Sequence, residues 1–261
     1  MILSCVIVSH PIKVSGAVEG KSAQGMAIYG DHAFLANHGG LCRIYNMKDG
    51  YEENRFFFSS NDQSNHCNSL SFGVEYPTGK EGFPALYISE CNSPGRCFVE
   101  SVDKGKSVLI QTISFNQRVT SWFVDKERKK LYAMLHVYHG KKLSDSINIY
   151  RFPLPRLRDK TICYSQKDIE SAFKVRVQYT LQGGTIQKNI LYLPVGMGGQ
   201  YKNKLPKPRK LMMIDLEQET VTKVIDLEHV IDSEPEDVAF YHKKLWLFCG
   251  QKGGLYHLNI F

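Results

Sequence analysis

The chain has 261 residues, of which 43% are hydrophobic, 23% charged and 11% aromatic, with a formal net charge of +7. This composition excludes a disordered or collagen-like chain, and no window approaches the roughly 18 uninterrupted apolar residues that a membrane helix needs, so we predict no membrane span. The basic residues are scattered over predicted turns and form no single basic face, so we expect no nucleic-acid partner.

The first apolar segment, Ile2–Val8, is typical of a strand. No basic region precedes it and no small-residue cleavage site follows it, so we do not interpret it as a secretory signal. The seven cysteines favour a reducing compartment, because their number is odd and Cys5 and Cys249 lie in apolar runs. We therefore expect a cytoplasmic protein. The alternative is an exported protein with a disulfide between Cys91 and Cys97.

An internal repeat indicates the architecture. Five segments share a pattern in which a polar residue is followed by a small or acidic residue and then by apolar β-formers. These opening segments are Gln24–Ile28, Asn68–Phe72, Thr120–Val124, Gln182–Ile186 and Glu236–Phe240. A second strand with an aromatic residue follows each one, after an inserted loop in the second unit. These second strands are Ala33–Asn37, Ala85–Ser89, Leu131–Leu135, Leu191–Val195 and Leu245–Cys249.

A third strand is predicted in all five units and a fourth in the first four. The third strands are Leu41–Met47, Arg96–Val102, Ile147–Leu154, Lys210–Leu216 and Leu255–Phe261. The fourth strands are Glu52–Ser59, Ser107–Phe115, Lys174–Leu181 and Thr220–Leu227. Four short strands separated by turns are typical of a propeller blade.

The predicted fold is therefore an all-β, five-bladed β-propeller. The fifth unit lacks one strand, and Ile2–Val8 is a spare strand that can pair with it and close the ring without leaving an open sheet edge. We treat residues 1–261 as a single domain and expect a monomer. The predicted blades cover residues 23–59, 66–115, 119–181, 182–227, and 236–261 together with 2–8.

The stretch Pro155–Phe173 is longer than a blade connection needs. Within it, Ser165 and Asp168 stand at the spacing of a capping box, which predicts a short helix before the outer strand. We interpret this stretch as a surface decoration.

The opening residues of the five repeats predict a polar ring at one mouth of the central channel. They are Gln24, Asn68, Thr120, Gln182 and Glu236. Longer glycine-rich loops rim the same face, and loops on a rigid scaffold commonly carry binding residues. Glu236 is the one charged member, and with Glu234 beside it we expect a hydroxyl-rich or cationic ligand. The alternative is that the ring holds only ordered water.

Two loop histidines, His38 and His66, complete the set of candidate ligand-binding residues. His66 also lies in the same blade as Cys67, Cys91 and Cys97, but their spacing matches no zinc finger. We predict no metal and no cofactor.

The segments Gln24–Ile28 with Phe34–Gly40, and Glu234–Phe240 with Leu245–Phe248, resemble bacterial β-propeller proteins of the glutaminyl-cyclase and teichoic-acid-biosynthesis kinds. The resemblance extends over every blade in outline, and Gln24 with the following glycine matches the Gln-Gly of the cyclase first blade. The chain has no counterpart of the Asn-Glu-Leu-Glu motif of that family, so the resemblance does not carry the cyclase activity with it.

Two functions follow as hypotheses. The first is a binding or interaction module that takes a small molecule or a protein partner on the loop-rich face, because the sequence has no nucleophile elbow and no complete phosphate-binding loop. The alternative is an enzyme that acts on a small or carbohydrate-like substrate at the channel mouth, with Glu236 or Glu234 as the acidic group.

Overall fold

The computed structural model describes residues 7–62, 64–91, 94–139, 142–177, 180–196, 208–250 and 253–260. Over these ranges the strands form five small sheets in a ring, with almost no helix. The prediction of an all-β, five-bladed propeller is confirmed. No helix in the described ranges has the length and apolar character needed to cross a membrane.

The strands follow the blades in chain order after the N-terminal strand β1 (Ile7–Ile12). The first blade contains β2 (Ala23–Tyr29), β3 (His32–Asn37), β4 (Leu41–Asn46) and β5 (Glu52–Phe57). The second contains β6 (Leu70–Phe72), β7 (Leu86–Ser89), β8 (Cys97–Val102) and β9 (Ser107–Phe115). The third contains β10 (Ser121–Asp125), β11 (Lys130–His139), β12 (Lys142–Pro153) and, after β13 (Thr161–Tyr164), the outer strand β14 (Ser171–Arg176).

The last two blades complete the ring. The fourth contains β15 (Thr180–Leu181), β16 (Thr185–Gln187), β17 (Ile190–Gly196), β18 (Lys210–Asp215) and β19 (Thr220–Asp226). The fifth contains β20 (Pro235–Tyr241), β21 (Lys244–Cys249) and β22 (Leu255–Asn259). The innermost strand of the first blade, β2, contacts both β6 and β20, so the first and last blades are neighbours.

The N-terminal strand closes the ring as predicted. It pairs antiparallel with β22, with Ile7 opposite Asn259 and Val8 opposite Leu258. The described strand, Ile7–Ile12, overlaps the predicted strand Ile2–Val8 at Ile7 and Val8 and continues to Ile12, whereas residues 2–6 lie outside the described residues. The fifth blade is therefore built from both ends of the sequence.

The connection before the third outer strand differs from the prediction in one respect. Thr161–Tyr164 is not mere decoration, because it pairs in parallel with β9 and becomes the outermost strand of the second blade. The predicted short helix is a single 3-10 turn over Gln166–Asp168, in which the carboxylate of Asp168 accepts hydrogen bonds from the backbone N–H and the Oγ of Ser165, at 2.8 and 2.7 Å.

The predicted fourth strand Lys174–Leu181 is divided between two sheets. Its first part belongs to β14 of the third blade, whereas Thr180 and Leu181 form β15 and pair with β17 of the fourth blade. The boundary between these blades therefore falls before Thr180.

The core consists of wedges between neighbouring blades. Successive side chains of a strand point to opposite faces of its sheet, so each blade contributes to two wedges. Phe34 packs with Phe72 of the second blade, and the next residue, Leu35, packs with Phe248 of the fifth. The other three wedges join the second to the third, the third to the fourth, and the fourth to the fifth blade.

Candidate functional site

The residue that ties the blades together at the axis is Asp237 on β20. Its Oδ2 accepts hydrogen bonds from the backbone N–H of Met26 at 2.7 Å and of Leu70 at 3.2 Å, and its Oδ1 accepts one from Val238 at 2.8 Å. The backbone of Gly184 also hydrogen-bonds to this carboxylate. Asp237 has no solvent exposure and joins the fifth blade to the first, second and fourth.

Small residues occupy the position equivalent to Asp237 in the other four repeats. They are Gly25, Ser69, Ser121 and Gly183. A Cβ on Gly183 would lie 2.2 Å from Cγ of Asp237, so a larger residue there would displace the carboxylate. Burial raises the pKa of Asp237, and the N–H donors around it oppose that rise. The small or acidic position of the repeat is thus where the blades meet.

The five predicted ring residues are all buried, but they bond to different partners. Nε2 of Gln24 donates to Oγ of Ser22 at 3.1 Å, and Nδ2 of Asn68 donates to Oγ of Ser121 at 2.5 Å. Oγ1 of Thr120 accepts a 3.4 Å hydrogen bond from the backbone N–H of His136. Among the described residues, these three side chains are not hydrogen-bonded to one another.

Three of the predicted site residues do form one cluster, between the fourth and fifth blades. Nε2 of Gln182 donates a 2.7 Å hydrogen bond to Oε1 of Glu234. Two glycines leave room for the acidic side chains: a Cβ on Gly250 would lie 2.5 Å from Oε1 of Glu236, and a Cβ on Gly196 would lie 3.3 Å from Cγ of Glu234. We call Gln182, Glu234 and Glu236 the acidic cluster.

The electrostatics of the acidic cluster are unusual for a protein interior. Glu236 is 6% exposed, and burial, with the nearby carboxylates of Glu234 and Asp237 as further causes, raises its pKa well above the usual range. Glu234 accepts a hydrogen bond from the uncharged amide of Gln182. An ionised Glu236 is costly in these surroundings, so the side chain is stabilised by a proton or by a bound positive charge.

The two predicted histidines are also brought together, across the first and second blades. Nδ1 of His38 and Nδ1 of His66 are 2.9 Å apart, and the rings are edge to face. One nitrogen of this pair must carry the proton and the other must accept it. Burial, and to a lesser degree the charge of His38, lowers the pKa of His66 to about 4.

The cysteines of the second blade are free thiols in the structure, including Cys91 and Cys97, so these two do not form the alternative disulfide. Burial raises the pKa of the thiols of Cys67 and Cys97, and raises that of Cys91 to about 11. Within the part of the chain that the structure describes, no group of three or more His, Cys, Asp or Glu side chains is placed to hold a metal ion.

Sequence reasoning did not single out Asp237, nor the opposite end of the channel, where Lys126 and Glu127 border a cavity. The signal for Asp237 was present in the repeat, because an acidic residue replaces glycine or serine at that position in only one of the five segments. Nothing in the sequence indicated a binding role for Lys126, because it belongs to a short basic turn that is typical of a solvated hairpin.

Comparison with known proteins gives the fold and no family. No protein-family model matches the chain, and no curated protein matches it in sequence. A solved glutaminyl cyclase of Myxococcus xanthus is similar over 97% of this chain and 95% of its own, with a TM-score of 0.57 and 11% identity. The tail fiber of Staphylococcus aureus phage P68 is similar over 99% of this chain and 54% of its own, with a TM-score of 0.60 and 11% identity.

The structural similarity to the glutaminyl cyclase agrees with the resemblance to glutaminyl-cyclase propellers seen in the sequence. At 11% identity both structural similarities concern the fold alone, because one propeller scaffold carries many unrelated functions.

Proposed function

We propose that the protein is a binding module whose loop-rich face takes a small cationic or hydroxyl-rich ligand at the acidic cluster. The ligand is a free small molecule or a side chain of a protein partner, such as the amine of a lysine. The observation that carries this proposal is the buried carboxylate of Glu236, which lies beside the carboxylate of Glu234.

The charge of the cluster selects its ligand. Two neighbouring carboxyl groups repel each other when both are ionised, and burial increases that repulsion. An ammonium group placed between them offsets both charges and donates hydrogen bonds to the oxygens, while a sugar hydroxyl donates to the ionised member. An anion would add to the repulsion, so the same site discriminates against it.

The position on the scaffold suits a binding site. Glu234 lies just before β20, and Gly196 and Gly250 lie at the ends of β17 and β21. All three therefore stand where strands end at the loop-rich face. Rigid strands hold these residues, and loops at strand ends commonly carry binding residues.

The direct test is to titrate the protein with n-butylammonium and to repeat the titration with the Glu236→Gln variant. The amide keeps the shape of the side chain and removes its charge, so we expect binding in the millimolar range to weaken at least tenfold. Glu81→Gln, which changes a carboxylate in an exposed loop, is the matched control and should bind as the wild type does. Equal affinity in the Glu236→Gln variant would contradict the proposal.

A second candidate function rests on the raised pKa of Glu236. A carboxylic acid that stays protonated near neutral pH is what a general acid requires, and an enzyme that acts on a carbohydrate-like substrate would use it to protonate a leaving group. Release of nitrophenol from p-nitrophenyl glycosides, with a rate that depends on pH and is lost in the Glu236→Gln variant, would support the enzyme over the binding module.

A further inference from the structure

A cavity lies at the inner strands of the ring, and none of its lining residues belongs to the acidic cluster. It has a volume of about 140 Å³ and is lined by residues of the innermost strands β2, β6, β10, β16 and β20, so all five blades contribute to it. Lys126, Glu127 and Gln187 border it, and these residues belong to tight hairpins, so the cavity opens on the face opposite the loop-rich face.

Asp237 is bonded to the backbone of two residues that line this cavity. The backbone N–H groups of Met26 and Leu70, two lining residues, are already bonded to its carboxylate. Asp237 itself has no solvent exposure, and none of the three residues of the acidic cluster lines this cavity.

The backbone of the innermost strands supplies polar groups to the cavity wall. On a strand, alternate residues direct their N–H and C=O groups to the same edge. Since Met26 and Leu70 direct theirs to the axis, Ile28 and Phe72 do so as well, and no further strand pairs with that edge of β2 or β6. These edges offer donors and acceptors together, so they do not by themselves decide the charge of a ligand.

Lys126 determines which charge of ligand the cavity favours. Among the described residues no carboxylate oxygen lies within 4.0 Å of its amine, although Glu127 borders the same cavity. The side chain is exposed and therefore open to a ligand, yet the surrounding protein lowers the pKa of the amine by desolvation, with no carboxylate close enough to oppose the effect. An amine in this setting gains from a counter-ion that enters the cavity.

The wall of the cavity is mixed. Ser71, Thr185 and Gln187 contribute polar side chains, and its apolar part is formed by residues that include Ile28, Phe72, Ile186 and Phe240. The apolar part favours a ligand with hydrocarbon over a strongly hydrated inorganic ion. The volume admits several water molecules or one small organic molecule.

We propose that this cavity is a binding site for a small organic carboxylate with a short apolar tail, whose carboxylate pairs with the amine of Lys126. The site lies on the face that carries the tight hairpins, opposite the loop-rich face, which we call the hairpin face. It is independent of the acidic cluster. A carboxylate with four carbon atoms matches the cavity in size. Its charge would lie at the mouth beside Lys126, and its tail would lie against the apolar side chains of the wall.

The test is a titration with butyrate, n-butylammonium and inorganic phosphate, followed by NMR. For the wild type we expect butyrate to bind with a Kd in the millimolar range, and Lys126→Gln to weaken it about tenfold, the loss of one charge-assisted hydrogen bond. Lys243→Gln changes a lysine in the equivalent hairpin of the fifth blade that does not line the cavity, and it should bind butyrate as the wild type does. Glu127→Gln removes the opposing charge and should tighten binding.

Two results would overturn the proposal. Equal butyrate affinity in Lys126→Gln and the wild type would remove the role of the amine, and phosphate binding as tight as butyrate binding would remove the role of the apolar part of the wall. The failure of this proposal is separable from that of the proposed function, because Glu236→Gln should leave butyrate binding unchanged and Lys126→Gln should leave n-butylammonium binding unchanged.

Discussion

The carboxylate of Asp237 accepts a 2.7 Å hydrogen bond from the backbone N–H of Met26, which lies 211 residues earlier in the chain. This bond joins the last blade to the first at the axis, while β1 and β22 join them at the outer edge. The ring is therefore closed at both its inner and its outer circumference.

Replacing Asp237 should destabilise the whole ring. Asp237→Ala leaves the N–H groups of Met26 and Leu70 buried without an acceptor, at a cost of about 3 kcal/mol or more. For a chain of this size the midpoint of thermal unfolding should fall by roughly 6–12 °C. Asp103→Ala, which removes a carboxylate that accepts the N–H groups of Gly105 and Lys106 in an exposed turn, is the control, and its midpoint should change little. Equal changes in the thermal midpoint of the two variants would mean that Asp237 does not hold the blades together.

Deleting residues 1–12 should remove β1 and expose the edge of β22. We expect a lower thermal midpoint and a tendency to aggregate, because an unpaired apolar edge strand is a template for pairing with another chain. Deletion of residues 1–6, which precede β1, is the control. A truncated protein that melts with the wild type would contradict closure by the N-terminal strand.

Acid should destabilise the fold through two partly buried histidines, His66 and His136. The pKa values of His66 and His136 are lowered by burial to about 4, below the value of about 6.5 in an unfolded chain. Their contribution to stability is therefore complete above pH 6.5 and is lost as the pH falls to 4, at up to about 3 kcal/mol for each histidine. The urea midpoint measured from pH 7 to pH 4 should fall less steeply in His66→Asn than in the wild type.

The control for this pH series is His242→Gln, because the side chain of His242 is 73% exposed. Its urea midpoint should follow the wild-type curve. A slope that is the same in His66→Asn and in the wild type would show that His66 does not contribute to the acid sensitivity.

Glu236→Gln should stabilise the protein at neutral pH. The folded-state pKa of Glu236 is raised above its unfolded value, so this group favours folding at low pH and costs stability as the pH rises. The amide removes that cost, and the variant should have a higher urea midpoint than the wild type at pH 7, with the difference shrinking below about pH 4.5. A lower midpoint at pH 7 would mean that the charge of Glu236 is stabilised within the protein.

All seven cysteines should be free thiols, because their number is odd and Cys42, Cys67, Cys97 and Cys249 are buried as unpaired thiols. The structure shows free thiols at the six cysteines that it describes, and Cys5 lies outside the described residues. A thiol titration of the denatured protein without reductant should count seven, while a count of five would indicate one disulfide.

The blades could be predicted from the sequence because the pattern that marks each strand is local. Alternating side chains and short turns mark each strand, and the spare strand at the N-terminus marks the closure. The orientation at the axis was not predictable, because β2 and β20 each carry a register irregularity at the start, between Ala23 and Met26 and between Pro235 and Asp237. A bulge changes which side chain faces a given direction, so the pattern alone did not distinguish the opening residue from the one after it.

The contacts within the candidate site depend on distances that the sequence does not contain. His38 and His66 belong to different blades, and so do Gln182 and Glu234, so each pair forms only when the ring is closed. Lys126 became a candidate only through the cavity that it borders.

Two sites with opposite charge preference can be tested together in one crystal soaked with n-butylammonium and butyrate. We expect butylammonium beside Glu234 and Glu236 on the loop-rich face, butyrate beside Lys126 on the opposite face, and no ligand at Asp237. Butyrate at the acidic cluster, or both molecules at one site, would contradict this expectation.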